Sequence, residues 1–183
     1  HAMAKGALMG ARGNSGVILS QMWRGMAQGL DGKETFTAAD MAKALEESAA
    51  VAYKGVSNPV EGTMLTVMKD AAKEAKKQVE EGQEDIVELM EATVNAAGDS
   101  VAKTPRLLKV LKDAGVVDAG GQGVYVLLDG ALRFLKGETE TMRLRKPQMI
   151  VSEIPLSAPL PQTQGVQEIP FGYCTEFLLK GEK

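Results

Sequence analysis

The sequence predicts an all-α protein, and three observations support that prediction. Apolar residues recur at helical spacing throughout residues 13–137. Aromatic residues make up only 4% of the chain, whereas its 183 residues include 20 glycines and 10 methionines, a composition that suits close-packed helices better than a β-sandwich. Glycine, proline and capping residues interrupt the pattern at intervals typical of helix lengths, so we expect a series of amphipathic helices.

The first two predicted helices are separated by a stop signal. Asp31-Gly32 ends the first helix, and Thr37 followed by Asp40 resembles a capping box that opens the second, which runs to about Lys54. The first helix is predicted from apolar residues that share one face: Val17, Ile18, Met22, Met26 and Leu30.

The third and fourth helices are predicted from similar patterns. The third runs from about Glu61 to Glu81, where Gly82 ends it, and the fourth runs from about Glu84 to Ala102. Their inward faces are predicted from apolar residues three and four positions apart: Leu65, Met68, Ala72 and Ala75 in the third, and Ile86, Leu89, Met90, Val94 and Ala97 in the fourth.

Two further helices complete the helical domain, for which we predict the bounds 4–137. Thr104-Pro105 is interpreted as an N-cap followed by proline at the first helical position, which opens a short fifth helix that ends at Gly115. The sixth helix follows the glycine-rich segment 118–123 and ends at Gly137.

The pattern changes after residue 137. Residues 138–170 contain several prolines and are predicted to be a linker. Residues 171–183 include an apolar run from Gly172 to Leu179 that is typical of a strand, and we expect them to begin a truncated α/β domain. Cys174 in that strand is interpreted as an inert buried thiol.

Charge and composition exclude several function classes. Lys and Arg number 21 against 24 Asp and Glu, and the resulting net charge of −3 argues against a general nucleic-acid binder. The only histidine is His1, in an opening His1-Ala2-Met3 typical of a cloning remnant, so no internal histidine exists for a catalytic triad or zinc site. One cysteine and the lack of a long apolar run predict a cytoplasmic protein with no membrane span.

The strongest functional signal is the segment Gly10-Ala-Arg-Gly-Asn-Ser-Gly16, directly before the first apolar helix. Glycines let a ligand approach the backbone, and free N–H groups at the start of a helix attract anions. Because the Ser15 hydroxyl adds a donor, we interpret the segment as a phosphate site. It is not a Walker A motif, since no Gly-Lys-Ser/Thr follows it. The alternative interpretation is that Asn14 and Ser15 only cap the helix.

Two other segments and one arginine carry weaker signals. The segment Asp118-Ala-Gly-Gly-Gln-Gly123 has two interpretations: its glycines admit a nucleobase or ribose close to the backbone, or it forms a tight turn capped by Asp118. No βαβ pattern surrounds the segment, so it is not a Rossmann site. In Glu61-Gly-Thr-Met-Leu65, Thr63 could donate to a phosphate and Met64 could pack on an adenine, although methionine in a helix is usually core. Arg106 could hold a phosphate or lie solvated on its helix.

Taken in order, these motifs, with Thr104-Pro105 and Val117-Asp-Ala-Gly-Gly-Gln-Gly123, resemble the nucleotide-binding domain shared by dihydroxyacetone kinases and bacterial fatty acid kinase. The ATP-binding subunit of fatty acid kinase is the closer match, because of the form of the first and last motifs and the Tyr173-Cys-Thr-Glu-Phe177 segment that begins that family's middle domain. The resemblance covers nearly the whole chain from Ala4. It implies an antiparallel helical barrel that binds Mg-ATP at one end and presents the γ-phosphate to a fatty-acid-binding partner protein, giving an acyl phosphate.

The resemblance also implies which residues contact ATP or ADP. Asn14, Ser15 and Gly16 of the first motif would contact the phosphates. Thr63 and Met64 of the second would line the nucleotide pocket. Asp118, Ala119 and Gly120 of the third would contact the nucleoside side. Arg106 in the Thr-Pro helix is a further candidate. No residue of this chain receives a catalytic or metal-binding role.

One departure from the family pattern limits what we expect of this chain. The family's domain opens with an Asp-Gly-Asp-Thr-Gly-Thr-Asn motif whose aspartates hold two magnesium ions, and no such motif precedes Gly10 here. Because phosphoryl transfer needs metal to neutralise developing charge, we expect the chain to be inactive by itself. A barrel without its first helices would also expose an apolar flank and favour a homodimer.

Two other interpretations stay open. The chain could be the nucleotide-binding subunit of a dihydroxyacetone kinase, which the linker and the terminal strand argue against. It could instead be a non-catalytic helical regulatory or binding module, in which the glycine-rich segments are only turns.

Overall fold

The computed structural model describes residues 1–138 and 149–151, and this part of the chain is built from helices. They follow in the order α1 (Ala2–Gly10), α2 (Gly13–Gly29), α3 (Ala38–Lys54), α4 (Met64–Glu80), α5 (Ile86–Leu107), α6 (Lys109–Ala114) and α7 (Ala119–Leu135). No strand occurs among the described residues, so the all-α prediction is confirmed. The predicted linker and the predicted strand with Cys174 lie outside the described residues, apart from residues 138 and 149–151.

Most helix ends follow the local signals in the sequence. Thr37 forms the predicted capping box, because its side chain accepts the Asp40 N–H while the Asp40 carboxylate accepts the Thr37 N–H at 3.0 Å. Gly115 follows α6 in the left-handed conformation, with φ 64°, as predicted for a C-terminal glycine. Helix α1 buries none of its residues, and the sequence pattern did not predict it.

The predicted break at Thr104-Pro105 is wrong. Helix α5 does not end at Ala102 but continues through Pro105 to Leu107, so Thr104 is not an N-cap. Proline has no N–H, which leaves the Val101 carbonyl without its usual partner four residues later. The Thr104 hydroxyl donates to that carbonyl at 2.7 Å and replaces the missing donor. The helix can therefore pass through the proline.

The core lies between α2, α3, α4, α5 and α7, each of which packs against the next, and α4 also contacts α7. A small apolar cavity of about 190 Å³ at this centre is lined by side chains from all five helices, methionines prominent among them. Except for Ile86, which is half-buried, the predicted inward residues of the third and fourth helices are buried: Leu65, Met68, Ala72, Ala75, Leu89, Met90, Val94 and Ala97.

Helices α2 and α3 meet closely because two glycines of α2 face α3. A Cβ added at Gly25 would lie 2.6 Å from the Ser48 Cα, and one added at Gly29 would lie 2.6 Å from the Ala44 Cα. Neither position has room for a side chain. Across the same contact the Ser48 hydroxyl donates to the Met22 carbonyl at 2.9 Å. This contact fixes α2, whose first turn lies at the candidate site.

Large apolar side chains are exposed on α1 and α7, among them Met3, Leu8, Leu127 and Phe134. The expected apolar flank and the homodimer stay predictions. Within the described part of the chain, no helix combines the length and the apolar character needed to cross a membrane.

Candidate functional site

A cavity of about 550 Å³ lies where the N-terminal ends of α2, α4 and α7 meet. Its volume falls within the range of about 300–1,000 Å³ that is typical of small-molecule sites. We call it the polar cavity, because polar groups from three helices and from the α3–α4 loop face it. The residues predicted from the sequence that line it are Asn14, Ser15, Thr63, Met64, Asp118 and Gly120.

A second cavity, of about 540 Å³, continues on the other side of Ser15, Met64 and Gly120, which line both spaces. We call it the apolar cavity, because most of its other walls are aliphatic or methionine side chains: Leu19, Val124, Val126, Leu127 and Met149. Gly16 and Ala119 also lie on its wall. The two cavities are therefore neighbours with chemically different walls, and we call the pair the groove, with a polar half and an apolar half.

The first turn of α2 opens onto this groove without a side-chain cap. Arg12 is the N-cap residue, and its side chain makes no cap hydrogen bond. Gly13 has φ 63°, a conformation that other residues rarely adopt, and Asn14 and Ser15 follow as exposed residues. The interpretation that Asn14 and Ser15 only cap the helix is therefore wrong. Because first-turn N–H groups have no acceptor within a helix, this end suits an anion.

Helix α4 begins after a turn that requires glycine. Gly62 has φ 82°, and a Cβ added there would lie 2.9 Å from the Leu107 Cβ and 3.1 Å from the Thr104 carbonyl oxygen. Thr63, the N-cap residue of α4, makes no side-chain cap; its hydroxyl donates to the Val60 carbonyl at 2.7 Å. The turn thus aims the start of α4 at the polar cavity while it packs against the end of α5.

A hydrogen-bonded cluster around Glu61 holds this turn. The Glu61 carboxylate accepts from Lys69 at 2.7 Å, from Thr66 at 2.6 Å and from the Tyr53 hydroxyl at 3.1 Å. The Thr66 hydroxyl in turn accepts the Gly62 N–H at 2.8 Å. The Lys69 hydrogen bond, followed by that of Thr66, lowers the pKa of Glu61, and the bond to Glu61 raises the pKa of Lys69. The cluster joins α3, the loop and α4 beside the cavity.

Asp118 sits at the start of α7 and is fixed from two sides. Its carboxylate accepts the Gly121 N–H at 2.6 Å, so its predicted role as a helix cap is confirmed. Its own N–H donates to the buried Thr104 hydroxyl at 3.0 Å. A Cβ added at Gly120 would lie 3.3 Å from the Met64 Cβ, so this glycine lets α7 approach α4 closely. Asp118 caps the helix and also lines the polar cavity.

The structure brings all the predicted site residues to the groove except Arg106. Arg106 is exposed in the last turn of α5 and lines neither cavity. Ser57 and Asn58, which line the polar cavity from the α3–α4 loop, were not predicted from the sequence. Nor was the role of Thr104 as the hydrogen-bond acceptor for the Asp118 N–H. A polar pair before a proline is a weak signal for the loop residues, and no local signal marks the Thr104 contact.

The electrostatic character of the polar cavity comes from helix ends rather than from charged side chains. Among the described residues that line it, Asp118 is the only carboxylate and no lysine or arginine is present. Within residues 1–138 and 149–151, no group of three or more His, Cys, Asp or Glu side chains could hold a metal ion. An anionic ligand would therefore be received mainly by backbone N–H groups and neutral side-chain donors.

Comparisons with known proteins match this chain to one family. The model of the DAK2 domain matches residues 1–133. Protein YloV of Bacillus subtilis (strain 168) is 45% identical over 182 residues, which are 98% of this chain and 32% of that protein. An uncharacterized protein of Staphylococcus saprophyticus is 42% identical and one of Staphylococcus aureus (strain MRSA252) is 41% identical, each over 97% of this chain and 32% of the relative. The chain thus spans about a third of the length of these relatives.

Proposed function

Since the chain belongs to the DAK2 domain family, a nucleotide-binding and kinase-related module, we propose that it is the ATP-binding part of a two-component fatty acid kinase. In this proposal ATP lies in the groove described above. Its γ-phosphate passes to the carboxylate of a fatty acid held by a partner protein, which gives an acyl phosphate and ADP.

The observation that carries the ATP part of the proposal is the meeting of three helix N-termini at one cavity. The N-cap residues of α2 and α4, Arg12 and Thr63, make no side-chain cap hydrogen bond, and both helices begin at the polar cavity. Aligned peptide dipoles place partial positive charge at each of these ends, where phosphate oxygens would be stabilised. A polyphosphate is a ligand that needs several such donors at once.

Each group of site residues has a part in this proposal. Backbone N–H groups at Asn14 and Ser15, with the Ser15 hydroxyl, would donate to phosphate oxygens. Thr63 lies on the same wall, and Met64 lies between the two halves of the groove. Asp118 would accept from a ribose hydroxyl, because a carboxylate can accept more than the one hydrogen bond that Gly121 provides.

Magnesium accompanies ATP in kinases, where it neutralises charge on the phosphates. The described residues do not form a ligand set for it, so no step of the proposal uses a metal held by them. What these residues would do is bind and orient the nucleotide. The fatty acid, in turn, would be supplied by a partner, in keeping with the general use of partner subunits by DAK2 domains.

A pair of matched substitutions tests the ATP site. Ser15→Ala removes a hydroxyl from the polar cavity and no helix cap, so it should weaken ATP and tripolyphosphate binding several-fold while leaving the free energy of unfolding nearly unchanged. Thr37→Ala removes the α3 cap, far along the chain from the cavity residues, and should cost about 1 kcal/mol of stability without changing affinity. Calorimetric titration and urea unfolding measure both quantities. If Ser15→Ala lowers stability but not affinity, the site assignment fails.

The phosphoryl acceptor is tested separately, in a full-length protein that carries this chain. With ATP and a fatty-acid-loaded partner, hydroxylamine should trap the acyl phosphate as a hydroxamate. Dihydroxyacetone in place of the loaded partner should give no product. Phosphorylation of dihydroxyacetone, with no hydroxamate from the fatty acid, would replace the fatty acid assignment with the related one.

A further inference from the structure

We propose that Met149 contacts the nucleobase of bound ATP, so that a residue after the last helix contributes to nucleotide recognition. The inference rests on the proposed function and deepens it, because it assigns the apolar half of the groove to the base. Three observations lead to it: how residues 149–151 are held, where Met149 lies, and how the two cavities are joined.

Residues 149–151 are held against the helical core by Ile150. The Ile150 N–H donates to the Gln122 side-chain oxygen at 2.9 Å, and Gln122 is buried on α7. The Ile150 side chain is half-buried against the core, and a Cβ added at Gly98 on α5 would lie 3.7 Å from its Cδ1. Ile150 is thus fixed both by its backbone and by its side chain.

Anchoring of Ile150 places Met149 on the wall of the apolar cavity. Met149 is 66% exposed, and the cavity that it lines also includes Gly16, Ala119 and Gly120. An exposed methionine fixed beside two glycines offers a polarizable thioether next to open backbone, which suits the face of a flat aromatic ring. Val151, which is 82% exposed, does not line this cavity.

The different chemistry of the two cavities indicates which part of the nucleotide lies in each. Ser15, Met64 and Gly120 line both cavities, so the two cavities lie side by side, and we infer that one ligand occupies both. The polar cavity holds the uncapped ends of α2 and α4, which suit phosphates. The apolar cavity offers aliphatic and methionine side chains, which suit a base. A nucleotide with its phosphates in the polar half therefore carries its base toward Met149.

Methionine methyl resonances test the contact directly in the 183-residue chain. With methyl-labelled methionine, ATP should shift the Met149 signal upfield through the ring current of adenine, whereas tripolyphosphate should leave it in place. Met149→Leu identifies the signal. Met3, which is 63% exposed on α1, is the matched control and should not move. Equal shifts of the Met149 signal with ATP and with tripolyphosphate would overturn the inference.

Affinity provides the second readout. Met149→Ala should weaken ATP binding about fourfold, as expected for loss of roughly one methylene of apolar burial, and should not change tripolyphosphate binding. Val151→Ala should change neither, and the melting temperatures of both variants should match that of the parent chain. If Ser15→Ala weakens ATP binding but Met149→Ala does not, this inference fails and the proposed function stands. If neither ATP nor tripolyphosphate binds, both fail.

Discussion

Replacing Thr104 by valine should destabilise the fold by about 2–4 kcal/mol, because one buried hydroxyl serves two backbone groups. The hydroxyl donates to the Val101 carbonyl at 2.7 Å and accepts the Asp118 N–H at 3.0 Å. Leaving one buried polar group without a partner costs about 1–3 kcal/mol. Because Asp118 is only half-buried, the cost of leaving its N–H without an acceptor falls at the lower end of that range. Valine has nearly the same shape as threonine, which keeps cavity effects out of the comparison.

Urea unfolding of a small set of variants separates the two bonds. Thr104→Ser keeps the hydroxyl and loses only a methyl group, so it should cost about 1 kcal/mol. Pro105→Ala returns an N–H to the Val101 carbonyl. The double variant with Thr104→Val should therefore be about 1 kcal/mol more stable than the sum of the single effects predicts.

The same variants have a functional readout, because Asp118 lies on the polar cavity. Thr104→Val should lower ATP affinity, and Pro105→Ala should not restore it, since the Asp118 N–H still lacks its acceptor. The reasoning is refuted if Thr104→Val costs no more stability than Thr104→Ser, or if the two positions show no coupling.

Two further predictions concern helix packing and pH. Gly25→Ala should cost at least about 2 kcal/mol of stability in urea unfolding, because the backbones of α2 and α3 leave no space for a Cβ. The control is Gly6→Ala, where nothing lies within 4 Å of the added Cβ, and it should be neutral or stabilising by up to about 1 kcal/mol. Equal effects of the two substitutions would contradict the packing argument. The Thr37 N–H, followed by Lys33, lowers the pKa of Asp40 from 3.8 to about 2, so its stabilising effect is complete above pH 4 and is lost as pH falls toward 2. The difference in melting temperature between the parent chain and Asp40→Asn should therefore shrink over that interval, and a constant difference would contradict this origin.

The helices could be predicted from the sequence because their signals are local. Apolar periodicity and a cap lie within a few residues of the helix that they define, as the Thr37–Asp40 box and Gly115 demonstrate. Helix α1 buries no residue, and no capping residue or buried face marked it in the sequence. The position of the three motifs at helix starts could also be predicted, because glycines and capping residues are local signals, while their role in nucleotide binding stays a prediction.

Contacts between distant residues could not be predicted in the same way. Thr104-Pro105 has the local pattern of a helix start, but the Thr104 hydroxyl compensates for the proline within α5 and holds Asp118, which is 14 residues further along the chain. Arg106 was a candidate from the family resemblance, with a solvated position on its helix as the alternative, and it lies exposed at the end of α5, off the groove walls. The meeting of α2, α4 and α7 at one cavity is a tertiary result that the motifs alone did not determine.

The most direct test of the account is an amide chemical-shift titration of the 183-residue chain with ATP. Binding across the groove predicts that the Ser15, Met64, Asp118 and Gly120 resonances shift together with one dissociation constant, while those of α3, such as Leu45, stay in place. Shifts confined to a different face of the protein, or no shifts at any accessible ATP concentration, would contradict a nucleotide site at the joined ends of these helices.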